Sequence, residues 1–114
     1  MRLKTSIFVS ALLRQTNARG GFGTILNKGA EEAGAIFILH VKARNQNDLY
    51  GPAPQSFFDD ENSGDRLFEL LGSDLTEQDI AARIRSQLQF DPDCWIVELE
   101  HPDMLDGVVL ANDD

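Results

Sequence analysis

The stretch from Ala33 to Ala43 places Ile36, Phe37, Ile38 and Leu39 in succession, so a strand built from it is apolar on both faces. Such a strand lies in the middle of a sheet, and the rest of the chain has to supply its neighbours. Arg44-Asn45-Gln46-Asn47 has turn chemistry, and Asp48–Gly51 returns antiparallel as the second arm of a hairpin. Tyr50-Gly51-Pro52-Ala53-Pro54 then leaves the sheet, because proline removes ladder donors. Phe22–Asn27, closed by Lys28-Gly29, reads as a short strand, and Arg66–Leu71 as another at an edge. Cys94–Glu100 alternates, with Trp95, Val97 and Leu99 on one face and Cys94, Ile96, Glu98 and Glu100 on the other.

Two segments have helical spacing. From about Ser6 to Ala18, Phe8, Ala11, Leu12 and Gln15 line one face, widened by Val9 and Leu13. Ser6 or Thr5 caps its start, and Arg19 with Gly20-Gly21 ends it. A strand over Lys4–Ser10 competes there, since Ile7, Phe8 and Val9 are β-prone. In the second segment Ile80, Ile84 and Leu88 repeat at four-residue spacing. Thr76 and Asp79 form a capping box before it, Leu75 and Ile80 a hydrophobic staple, and Asp91-Pro92 the stop. The order predicts one α+β domain over residues 1–100, a mainly antiparallel sheet of four to five strands with two helices on one face. Residues 101–114 form a tail that docks Val108, Val109 and Leu110 or frays.

Charge narrows the functions open to this fold. Residues 1–50 carry 7 Lys and Arg against 3 Asp and Glu, a net of +4, and residues 51–114 carry 3 against 16, a net of −13. The total of −9 excludes a general nucleic-acid binder, whose field must be basic, and disfavours anionic membranes. The two halves also attract each other, so the asymmetry is first of all internal complementarity. Cys94 is the only cysteine, no apolar stretch is long enough for a membrane span, and Met1-Arg2-Leu3-Lys4 opens no secretory leader. The expectation is a mature cytoplasmic protein.

Several segments together carry a resemblance. Arg2-Leu3-Lys4-Thr5 leads into Phe8-Val9-Ser10-Ala11-Leu12-Leu13-Arg14, followed by Gly29 through Ala33-Gly34, Leu49 through Gln55, and Phe90-Asp91-Pro92-Asp93-Cys94-Trp95-Ile96-Val97-Glu98. In combination these resemble a family of short bacterial proteins known only as domain of unknown function 1491. The resemblance extends to Glu100, with the tail after His101 outside it. It implies a small cytoplasmic bacterial protein and brings no catalytic residues.

Chemistry must therefore be weighed residue by residue. His40, His101 and Cys94 show no metal-ligand spacing, and His40 on the central strand reads as a hydrogen-bonded core histidine. Asp59-Asp60-Glu61-Asn62-Ser63-Gly64 starts like a calcium loop, but Leu70 occupies the twelfth place and Glu69 falls one residue early, so the acidic run Asp59–Asp65 reads as a solvated loop. Gly20-Gly21-Phe22-Gly23 follows a helix instead of opening one, which disfavours a phosphate cradle. Ser10, Ser56, Ser73 and Cys94 sit in no nucleophile motif, and Glu98 with Glu100 are paired acids on an exposed face.

Two surfaces remain. The stiff turn Tyr50, Pro52, Pro54 with Phe57 and Phe58 offers an apolar contact, and the edge strand Arg66–Leu71 offers a place for a second copy. The favoured reading is a non-enzymatic binding or accessory module, a homo-oligomer whose acidic face meets a basic protein partner, with no cofactor, nucleic acid or membrane. The alternative is an enzyme or binder of a small anionic metabolite that uses Arg14, Arg19 and Lys28. Convergence of Arg14, Tyr50, Asp91 and Trp95 on one pocket would favour the alternative.

Overall fold

The computed structural model describes residues 4–54, 66–103, 105 and 107–111. Helix α1 spans Thr5–Ala18 and is followed by strands β1 (Phe22–Asn27), β2 (Ile36–Ala43), β3 (Gln46–Pro52) and β4 (Leu67–Leu75). Helix α2 (Glu77–Phe90), β5 (Trp95–Glu100) and the two-residue β6 (Val109–Leu110) complete the elements of the described residues. The six strands form one sheet in the order β1-β5-β2-β3-β4-β6. Pairing is antiparallel except between β2 and β5 and between β4 and β6, so the α+β class holds with a sheet one strand wider than expected. No helix among the described residues is long and apolar enough to cross a membrane.

The helices do not share a face. Val9 and Leu12 of α1 pack with Ile36, Ile38, Trp95, Val97 and Leu99, while Ile80 and Ile84 of α2 pack with Leu39, Val41 and Leu49. Side chains alternate along a strand, so these two sets lie on opposite sides of the sheet. The one-face arrangement is thus corrected, and the reason is in β2 itself: a strand apolar on both faces needs a cover on each.

Local chemistry explains the helix ends. Gly20, at φ 87°, follows the Arg19 cap; its N–H bonds the Asn17 carbonyl and the Gly21 N–H bonds the Thr16 carbonyl at 3.0 Å. This pairing is a Schellman motif. At the other end Lys4 is the cap residue, not Ser6 or Thr5, and makes no side-chain cap. The Thr5 hydroxyl instead donates to the Gly34 carbonyl at 3.3 Å, and the Ser6 N–H to the Glu31 carbonyl at 3.0 Å, so a distant loop satisfies the free amides. Thr76 caps α2 with the full box expected, its oxygen accepting from the Asp79 N–H at 3.1 Å.

Three departures concern the sheet. β3 runs through Pro52, opposite Phe68, so Tyr50-Gly51-Pro52 stays in the ladder instead of leaving it. Proline is tolerated there because it ends the strand and Ala53 resumes donation, to the Leu67 carbonyl at 2.9 Å. β4 is paired by β6 at Leu67 and Phe68 and by β3 from Phe68 on, and from Glu69 on it has no outer strand among the described residues. In the tail, Leu105 and Val108 pack against the α1-side core and Val109–Leu110 forms β6.

Candidate functional site

On the α1 side of the sheet the polar residues are bound into the scaffold. His40 and Asp48 are buried and directly opposed across β2 and β3. Burial holds the His40 imidazole below its ordinary value, against the opposing pull of the His101 carbonyl and of Asp48. Burial alone would raise the Asp48 carboxyl, but the Asp74 N–H at 3.0 Å, Lys42 at 3.1 Å and Ser73 at 3.3 Å bring it below the usual value. Lys42 also reaches Asp74 at 3.0 Å, so one ammonium ties β2 to β3 and β4. Among the described residues no buried side-chain nitrogen or oxygen lacks a partner. A network satisfied in this way holds β2, β3 and β4 together.

The residues that would have marked an enzyme scatter. Arg14 is exposed on α1, Tyr50 packs beside the α1-side core, Asp91 caps the end of α2 and bonds the Asp93 N–H, and buried Trp95 donates to the Ala30 carbonyl at 2.8 Å. Of the candidate anion ligands, Arg19 and Lys28 stand beyond opposite ends of β1, whose six residues span roughly 20 Å. They do not meet around one small anion. The glycine amides between them are taken as well: those of Gly20 and Gly21 by helix carbonyls, and that of Gly23 by Asn17 Oδ1 at 3.1 Å. Burial raises the Cys94 thiol, with Asp91 adding to the shift, so it is not poised as a nucleophile.

Of the expected apolar contact, Tyr50, Pro52 and Pro54 fall within the described residues. Pro52 and Pro54 are exposed, and Pro52 borders a hollow of about 200 Å³ with Ala33, Gly34 and Arg66. Tyr50 is half-buried, and burial raises its phenol. Phe57, Phe58 and the acidic run Asp59–Asp65 lie outside the described residues.

The opposite face of the sheet is different, because α2 covers only part of it. The helix lies towards β3 and β4, with the Arg83 guanidinium donating to the Leu71 carbonyl at 3.2 Å. Ile80 is its one buried residue, against four on α1. A hollow of about 220 Å³ lies on the β4 side of α2, bordered by Phe37, Leu71 and Gln87. A second, of about 340 Å³, lies on the β1 side between Leu26, Val41, Ile80, Ala81, Glu77 and Glu98. Its size falls at the low end of the range of small-molecule pockets.

Beyond this second hollow the β5–β1 strip is bare. Phe22 stands opposite Glu100 and Thr24 opposite Glu98, so all four share the α2 side. Phe22 is 61 % exposed and Leu26 46 % exposed. Glu98 is half-buried with no ion pair among the described residues; burial, and then the neighbouring Glu100, push its carboxyl above the ordinary value. The strip thus sets exposed apolar side chains beside two carboxylates that have no ion pair among the described residues. The sequence points to the acid pair, but Leu26 and the strip depend on β1 lying beside β5, which no local pattern reveals.

Comparison with known proteins matches residues 3–108 to the model of a protein family of unknown function, DUF1491. The chain is similar to the solution structure of protein Atu0922 from A. tumefaciens, with 42 % identity, a TM-score of 0.85, and coverage of 100 % of this chain and 98 % of that one. It is also similar to the crystal structure of a DUF1491 family protein from Caulobacter crescentus CB15, with 31 % identity, a TM-score of 0.73, and coverage of 89 % and 90 %. An NMR structure of a DUF1491 family protein from the same organism gives 31 % identity, a TM-score of 0.72 and coverage of 94 % and 90 %. No protein of curated description matches.

Proposed function

Because the chain belongs to the DUF1491 family, whose function is unassigned, we propose from its geometry that it is a non-enzymatic binding or accessory module of the bacterial cytoplasm. The observation that carries this reading is the half-covered α2 face, where Phe22 and Leu26 stand exposed beside Glu98 and Glu100. Apolar area supplies affinity, and carboxylates left without a cation select a basic partner and speed its approach. In this reading the strip along β5 and β1, with Phe22 and Leu26 exposed, supplies the apolar contact. A free thiol at buried Cys94 supports a reducing compartment.

The test is titration of the isotope-labelled protein with a short amphipathic Lys/Leu peptide and with its Asp/Leu counterpart. The basic peptide shifts amide signals of β1, β5 and the first half of α2, and binding weakens as salt rises. Equal binding of both peptides, or shifts confined to the α1 side, would refute the reading.

A further inference from the structure

The strip has an unusual complement within the same molecule. At 100° per residue, Ala81, Arg85 and Leu88 share one flank of α2. Ala81 borders the hollow that also contains Glu98, so this flank is turned towards the strip, while Arg83 is held on the other flank by the Leu71 carbonyl. Arg85 is exposed and makes no hydrogen bond or ion pair among the described residues. Ala81 and Ala82 next to it are small and exposed, which lets another backbone come close.

One face therefore presents an unpaired cation with half-buried Leu88 and, a short way across the sheet, unpaired Glu98 and Glu100 with Phe22 and Leu26. That combination is self-complementary. A two-fold axis through the face brings each set against the other twice, as an isologous contact requires. We propose that the partner on this face is a second copy of the chain, packed so that α2 of each covers the bare β5–β1 strip of the other and Arg85 meets Glu98 and Glu100. The proposal rests on the reading of this face as a docking surface and names its occupant.

Charge also decides against a symmetric contact through the β1 edge. β1 is an edge strand with no charged residue, and its pairing with β1 of a second copy would extend the sheet. Antiparallel pairing there sets the Lys28 end of one strand beside the Arg19 end of the other, cation against cation. Packing α2 onto the strip sets cation against carboxylate.

The experiment is sedimentation equilibrium across a dilution series at low and high salt, on the wild-type chain, Arg85→Glu, Glu100→Arg and the double variant. Both positions are exposed, and circular dichroism melts establish that each variant is folded. The wild type is expected to dimerise, less at high salt; each single reversal weakens the dimer about tenfold or more, and the double reversal recovers most of the loss. A dimer unmoved by either reversal overturns the proposal. So does a chain that stays monomeric at every concentration, and the Lys/Leu peptide then separates the two ideas: if it binds, the docking surface stands without the second copy, and if it does not, both fall.

Discussion

The Nε2 of His40 lies 2.8 Å from the carbonyl oxygen of His101, and the His101 N–H returns to the Val41 carbonyl at 3.0 Å. A carbonyl only accepts, so Nε2 carries the proton of a neutral ring. The pair fastens the point where the chain leaves β5 to the neighbouring strand β2.

Stability should follow that imidazole. Its folded value lies below the ordinary 6.5, so the unfolded chain binds the proton more readily. The contribution is complete above pH 6.5 and is lost as pH falls through the lower folded value. Asp48, also lowered, adds a second loss once pH drops below 3.8 and through its own folded value. Urea midpoints are expected to fall between about pH 7.5 and about pH 5.5, and His40→Gln to flatten that step; an unchanged slope would remove His40 as its cause.

Glu98→Gln should stabilise the monomer at neutral pH. A carboxyl raised by burial and by Glu100 contributes fully below 4.5 and ceases to as pH rises through its folded value, so its ionised form is a burden at pH 7. Solvent screens a half-exposed group, and the gain in Tm is about 1–3 °C, vanishing near about pH 4. Scanning calorimetry at the two pH values checks this.

Gly29→Ala is expected to cost about 1–3 kcal/mol by overpacking. A Cβ there collides with the Asp93 carbonyl oxygen and comes within 2.8 Å of the Trp95 ring. Gly20→Ala tests a different cause, since its Cβ meets nothing within 4 Å and only the left-handed φ is strained. Chemical denaturation of both variants should show intact slopes with lowered midpoints.

The Cys94 thiol should be silent towards a disulfide-exchange reagent in the native protein and react at once in denaturant. It is fully buried, and its pKa is raised by burial. Rapid labelling under native conditions would mean that the turn before β5 opens often.

How far the residues announced this architecture depends on the range of the interaction. The Thr76–Asp79 box, the glycine stop after α1 and the span Phe22–Asn27 are local, and each is legible because its partners lie within a few residues. The helix that replaces the competing strand at Lys4–Ser10 wins through Val9 and Leu12, which meet Trp95 and Val97 only in the fold. The opposite placement of the two helices was implicit in Ile36 through Leu39. The strip was not, since Leu26 and Glu98 border one hollow only because β5 slots in beside β1.

That slot has a consequence for biosynthesis. Asn27 holds the Cys94 carbonyl across 67 residues, and β1 and β2, made early, are joined only by a strand made late. A nascent chain halted before Trp95 has its first strand with no ladder and its central hairpin missing one rail. The sheet therefore closes only once β5 has been made, and a truncation upstream of β5 is expected to leave a sticky, protease-sensitive fragment instead of a smaller version of the protein.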